Sequence, residues 1–161
     1  MIRSGLSCDA AEITTLWNTL ILETAVTFTT ELKLRADVEA MISDPKRSVM
    51  IAEVDGIFAG FALIGPFRNG SGYAHTAEHS VYIAANVKRK GIGRLLLDEV
   101  TRVALEMGHH VMVGAISGGN LDALNFHHKL GFKQVGHMPQ VGRKNGEWHD
   151  LILMQKTLET R

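Results

Sequence analysis

Cysteine is nearly missing from this sequence: Cys8 stands alone among 161 residues. No disulfide can close within the chain, so packing has to hold the fold, and a reducing cytoplasm is the expected compartment. Long apolar runs are missing too. None approaches the roughly 18 residues that a membrane-spanning helix needs, so no membrane partner is expected. The opening stretch MIRSGLSCDAAE has no extended apolar centre and does not read as a signal peptide. Charge of one sign is not in excess: Lys+Arg and Asp+Glu each number 17, and the formal net charge is zero. That balance leaves no broad basic surface for nucleic acid. A local basic cluster does exist, at Lys88, Arg89, Lys90 and Arg94. Repeats and low-complexity linkers are absent. What remains is 45% hydrophobic, enough for one core, and residues 1–161 read as a single domain.

The pattern of elements is mixed α/β. Residues 1–4 read as a short strand. Ser7 and Asp9 offer N-caps for a helix beginning near Ala10, in which Ile13, Leu16, Trp17, Leu20 and Ile21 follow helical spacing. Thr24 to Thr30 breaks that spacing and reads as a loop containing Phe28. A second helix is expected from Leu32 to Ile42, ended by Asp44 and Pro45. Two β-rich runs, Ser48 to Val54 and Ile57 to Ile64, flank Asp55-Gly56, a strong hairpin signal. A polar loop over 67–76 precedes a strand from Glu78 to Ala84. After a basic turn, Ile92, Leu96, Val100, Val103 and Met107 mark one stripe of a long helix that Gly108 stops. His110 to Ile116 reads as a buried strand and Leu121 to Leu130 as a short helix. Two further strands, Phe132 to Met138 and His149 to Thr157, are expected to be joined by a loop with Gly142, Asn145 and Gly146. A meander followed by strand–helix alternation is not a regular doubly wound sheet.

The segment from Glu78 to Arg94 carries chemistry. A strand feeding a Gly-bearing turn and a helix N-terminus makes an anion site, because unpaired backbone N–H groups point outward and the helix dipole adds about half a positive charge. Gly91 and Gly93 let the backbone approach an oxygen-rich group, and Arg89, Lys90 and Arg94 add charge. The spacing matches neither a Walker loop nor GxGxxG, since position 96 is Leu. His127 and His128 are adjacent on a helix and point about 100° apart, so they do not share a metal. His75 and His79 are not on a helix, HExxH is absent, and no metal is expected.

Lys88-x-x-Gly91-x-Gly93, after a strand and before a helix, resembles the acetyl-CoA pyrophosphate loop of the GCN5-related N-acetyltransferases. Asn120, Ala123 and the run His128-Lys-Leu-Gly-Phe132 resemble that family's fourth-helix signature. The resemblance implies an α/β (α+β) GNAT fold with a mixed, mostly antiparallel central sheet of six to seven strands flanked by about four helices. It narrows toward the phosphinothricin and methionine sulfoximine acetyltransferases. The carrying pieces are Glu23-Thr24 with Phe28 and Glu31; Ala52-Glu-Val-Asp-Gly56 with Ala59-Gly60; Gly65-Pro-Phe67; Tyr73; Thr76-Ala-Glu78 with Val81-Tyr-Ile83; and Gly146-x-Trp148-His-Asp150.

By that resemblance the chain would move acetyl from acetyl-CoA, as co-substrate, to a small-molecule amine. Glu78 would be the general base and His127 a second catalytic group where many relatives carry Tyr. Val81, Tyr82 and Ile83 would pair with the pantetheine arm. Arg89, Lys90, Gly91, Ile92, Gly93 and Arg94 would hold the pyrophosphate, and Asn120 the coenzyme near its thiol. Phe28, Tyr73, His75 and Trp148 stand on the acceptor side, although Phe28, Tyr73 and Trp148 suit core packing equally well. A homodimer is implied. Chemically, an amine must lose a proton before attacking a thioester, a carboxylate can accept it, and a histidine can return a proton to the departing thiolate. In the loop before Tyr73 only Arg68 is basic, where the group has several arginines suited to a substrate carboxylate. Another amine as acceptor, such as a polyamine, an aminoglycoside or a peptide terminus, and an acyl-CoA sensor without turnover are the competing readings.

Overall fold

The computed structural model describes residues 1–87 and 91–159. Seven strands form one sheet: β1 (Ile2–Ser4), β2 (Ser48–Val54), β3 (Ile57–Pro66), β4 (Thr76–Ile83), β5 (Val111–Ser117), β6 (Lys133–Lys144) and β7 (Glu147–Thr157). They lie in the order β1-β2-β3-β4-β5-β7-β6. All neighbours are antiparallel except β4 and β5, which run parallel. The helices are α1 (Ala10–Glu23), α2 (Arg35–Ser43), α3 (Ile92–Glu106) and α4 (Leu121–Lys129). Among the described residues, no helix is long and apolar enough to cross a membrane.

Strand alternation produces two cores, one on each face of the sheet. In β2, Met50 and Ala52 join Ala62 and Ile64 of β3 beneath Leu96, Leu97 and Val100 of α3. Val49 and Ile51 turn the other way, packing with Phe61 and Leu63 against Ile13 of α1 and Val38 of α2. β2 and β3 are therefore apolar along nearly their whole length, as strands covered on both faces must be.

Three expectations are corrected. Asp9 does not cap α1. Its carboxylate accepts from Arg3 Nη1 and Nη2 at 2.8 and 2.7 Å and from the Leu6 N–H at 2.7 Å, which turns it away from the helix. The second helix starts at Arg35 rather than Leu32. Asn18 accepts from the Lys33 N–H at 2.8 Å and donates to its carbonyl at 3.0 Å, holding that segment extended along α1. Residues 139–148 do not form an open loop. β6 runs to Lys144 and turns through Asn145 (φ 52°) and Gly146 (φ 80°) into β7. Two consecutive positive φ values suit Asn-Gly in a two-residue hairpin turn. Two irregularities lie earlier, between Gln134 and Gly136 and between Met138 and Gly142, and Pro139 sits in the second, where no ladder N–H is asked of it.

Candidate active site

The parallel pair at the sheet centre is short. β4 and β5 pair from Thr76↔Val111 to His79↔Gly114 and then separate. β4 continues to Ile83, bonded to β3, and β5 continues to Ser117, bonded to β7. Beyond His79 the two strands leave a wedge-shaped cavity of about 760 Å3 between them. Ser80 to Ile83 and Gly114 to Ile116 form its walls. A strand edge without a neighbour leaves backbone N–H and C=O groups free for an extended ligand to bond as an added strand.

Gly91 to Arg94 lie at the mouth. Gly91 precedes α3 with φ 79°, a conformation glycine adopts without a side-chain penalty, and a Cβ there would meet nothing within 4 Å. The first bond of the helix is Leu95 N–H to Gly91 C=O at 3.2 Å. The N–H groups of Ile92, Gly93 and Arg94 precede it and have no partner within the helix. Val81, Tyr82, Ile83, Gly91, Ile92, Gly93 and Arg94 thus come together around one cavity. Arg89 and Lys90, with Lys88, lie outside the described residues. Asn120 lines the same cavity and caps α4, its Oδ1 accepting from the Ala123 N–H at 3.2 Å.

α4 brings His127 to the apex, where it is 7% exposed. Its Nδ1 lies 2.7 Å from the Ala123 carbonyl and its Nε2 lies 2.9 Å from Nε2 of His79. Burial lowers the pKa of His127 below the ordinary histidine value. Burial, and then the charge of His127, push His79 down to about 3. His79 Nδ1 is buried with no hydrogen-bond partner among the described residues. The backbone of Val113 opposes the shift.

Glu78 does not line the wedge walls. It occupies the row between Gly65 and Val113, one residue before the strands part. Alternation turns it away from His79, onto the face where Tyr82 packs against Trp17 and Phe61. It is half-buried, and burial raises its pKa. Leu20 and Val26, from α1 and the segment after it, also line the cavity, so the wedge opens toward that face as well.

The acceptor-side residues separate. Phe28 stacks on His149 with ring centroids 5.4 Å apart and fills the space beside Gly142, where a Cβ would meet its ring. Trp148 is 58% exposed and carries Arg143 over its ring at 5.0 Å, so it does not pack in the core. Tyr73 is exposed in a short turn beside Phe67, over whose ring Arg68 lies at 5.4 Å. His75 stands at the opposite end of β4 from the wedge, its Nδ1 2.7 Å from the Gly108 carbonyl.

Two residues with positions of consequence escaped sequence reasoning. Lys144 is buried and donates to the Thr24 and Thr27 carbonyls at 2.7 and 2.8 Å, tying the Phe28 loop to β6. It is concealed because the stretch around it resembles a polar turn. His79 lies between Ala77 and Val81 in a buried alternation, a signal that could have separated it from surface histidines.

The model of the acetyltransferase (GNAT) family matches residues 14–132. The chain is similar to the L-amino acid N-acyltransferase MnaT of Escherichia coli, 36% identical over 99% of this chain and 95% of that protein. It is similar to the L-methionine sulfoximine/L-methionine sulfone acetyltransferase of Salmonella typhimurium, 37% identical over 98% and 94%. The yncA protein of Salmonella typhimurium, solved with its cofactor acetyl-CoA, superimposes with a TM-score of 0.95 at 35% identity, covering 100% of this chain and 95% of that one.

Proposed function

The chain belongs to the acetyltransferase (GNAT) family, and we propose that it acetylates the amine of a small amino-acid-like acceptor of the methionine sulfoximine, methionine sulfone or phosphinothricin type, using acetyl-CoA. The observation that carries this reading is the parting of β4 and β5 beside the N-terminus of α3. The two similar bacterial enzymes, one an L-amino acid N-acyltransferase and the other a methionine sulfoximine/sulfone acetyltransferase, support the acceptor class.

The wedge suits acetyl-CoA on its own chemistry. Its long wall offers unpaired backbone for an amide-bearing arm, and its mouth offers three helix N–H groups for a pyrophosphate. Ile92, Gly93 and Arg94 hold the phosphates, with Arg89 and Lys90 adding charge. Val81, Tyr82 and Ile83 bind the arm, and Asn120 contributes its remaining amide donors. When bound, acetyl-CoA supplies the acyl group as a thioester. Glu78 accepts the proton of the acceptor amine, directly or through water, from the face that carries the Phe28 loop. Its raised pKa keeps the carboxylate closer to the amine in basicity, which assists that transfer. His127 serves the thiol end. Phe28, Tyr73 and Trp148 shape the acceptor side, with Arg68 retained as the basic group of its loop, whereas His75, held by the Gly108 carbonyl at the far end of β4, takes no part.

Residues 1–161 act as one domain of a cytoplasmic homodimer in this reading. The exposed thiol of Cys8 suits a reducing compartment. The exposed apolar side chains Val135, Met138, Val141 and Trp148 on β6 and β7 suit a subunit contact.

The test is thiol release from acetyl-CoA with phosphinothricin, methionine sulfoximine, methionine sulfone, spermidine and kanamycin. Turnover confined to the three amino-acid analogues is expected. Turnover confined to spermidine or kanamycin would remove the acceptor class, and acetyl-CoA binding without any turnover would favour a sensor.

A further inference from the structure

His79 has no task in the reading above, although it sits at the point where β4 and β5 part. It is 3% exposed, and Phe132 packs on it and on His127 with ring centroids 5.1 and 5.3 Å away. Gly114 of β5 lies directly beneath the pair. A Cβ there would come within 2.9 Å of His79 Cε1 and 3.5 Å of His127 Nε2, so the two rings occupy the space a side chain would need.

The hydrogen bonds assign the protons. A carbonyl only accepts, so the 2.7 Å contact with Ala123 places a proton on His127 Nδ1. A neutral His127 then has a bare Nε2. The 2.9 Å contact between the two Nε2 atoms requires one donor, and that donor is His79. His79 Nδ1 is left bare, in agreement with its lack of a partner. We propose that His79 is a positioning residue: by donating from Nε2 it fixes the tautomer, ring orientation and uncharged state of His127 at the apex of the wedge. The inference rests on His127 serving the thiol end as a neutral ring; with its Nδ1 proton held by the Ala123 carbonyl and its Nε2 bare, His127 does not itself return a proton to the departing thiolate.

Removing the donor has a directional effect. A hydrogen bond to bare Nε2 favours neutral His127, so its loss lets His127 protonate at higher pH. Other ionisable groups stand further from this contact. β5 presents Gly114, and Glu78 lies on the opposite face of β4. Lys156 of β7 donates to the Leu130 carbonyl, with its ammonium 5.8 Å from the Phe132 ring centroid. On α4, His128 Nδ1 is engaged at 3.1 Å with the Phe132 carbonyl. Asp122 and Lys129 of α4 and Arg94 of α3 reach the cavity elsewhere along its walls.

The experiment compares His79→Phe, His79→Gln, His127→Phe and the double variant His79→Phe/His127→Phe, with acetyl-CoA calorimetry verifying that each folds. Phe keeps an aromatic ring without a donor, whereas Gln places an amide N–H near the position of Nε2. His79→Phe is expected to lower kcat about tenfold at unchanged KM for acetyl-CoA and to move the acid limb of the kcat profile up by about one pH unit. His79→Gln should restore most of the rate, and His79→Phe should add nothing in the His127→Phe background. A full reduction in the double variant beyond His127→Phe, or a Gln variant as impaired as Phe, would overturn the inference. A silent His127→Phe removes the role on which it rests. A silent His79→Phe beside a damaging His127→Phe removes the inference alone.

Discussion

At the scale of single residues, environment decides what the ionisable groups can do. Glu78 would be an ordinary strand carboxylate were it not in the last row but one before the sheet divides. Burial raises its pKa, so the folded protein retains a proton there at a pH where the unfolded chain has released it. Stability from this residue falls as pH rises through the window from the usual carboxylate value to the raised one, and stays lower above it. Glu78→Gln escapes that cost. It should therefore melt above the wild type at about pH 8, with the difference closing near pH 4, as thermal unfolding at both pH values would reveal. The same variant should lose about 100-fold or more in kcat while acetyl-CoA affinity stays constant. An unchanged rate would remove the base assignment.

At the scale of elements, the site depends on where strands and helices end. Gly91 begins α3 in a left-handed conformation that costs another L-residue roughly 1–2 kcal/mol. Gly91→Ala should lower the melting temperature by a few degrees, and its Cβ should weaken acetyl-CoA binding several-fold in calorimetry. Lys144 connects β6 to the loop carrying Phe28 through two hydrogen bonds. Bonds from a charged group contribute about 1.5–3 kcal/mol. Lys144→Met should therefore raise KM for the acceptor about tenfold while leaving acetyl-CoA binding close to normal, measured by steady-state kinetics and calorimetry. Equal losses for both ligands would indicate a general collapse instead.

Legibility in the sequence follows the range of the interactions. The Asp55-Gly56 hairpin, the apolar stripe of α3 and the glycine at its mouth are local signals, and each lies where its local chemistry points. Distant partners are less visible. Asp9 looks like a cap until Arg3 binds it, and the start of α2 depends on Asn18, 15 residues away. Asn145-Gly146 is as strong a hairpin signal as Asp55-Gly56, but the bulge at Pro139 interrupts the alternation that would have exposed β6 as one strand. The clustering of Val81 to Ile83 with Gly91 to Arg94 is accessible from motif order. The His79–His127 contact joins residues 48 positions apart and has no local signature.

At the scale of the whole molecule, one sheet carries two differently covered faces, and the gap between β4 and β5 opens a passage between them. The coenzyme and the acceptor can then approach from different sides of the same strand. β6 is the edge strand beside β7, and the pair exposes Val141 and Trp148 at 50% and 58%. Val141→Glu should shift a dimer toward monomers in sedimentation velocity; a wild type that sediments as a monomer at micromolar concentration would contradict the subunit contact. The most direct measurement of the central claim is hydrogen exchange with and without acetyl-CoA. Added protection is predicted in Ser80–Ile83 and Ile92–Arg94, with little change in the already paired Thr76–Ala77. Unchanged exchange in both wedge segments at saturating acetyl-CoA would contradict the placement of the coenzyme between β4 and β5.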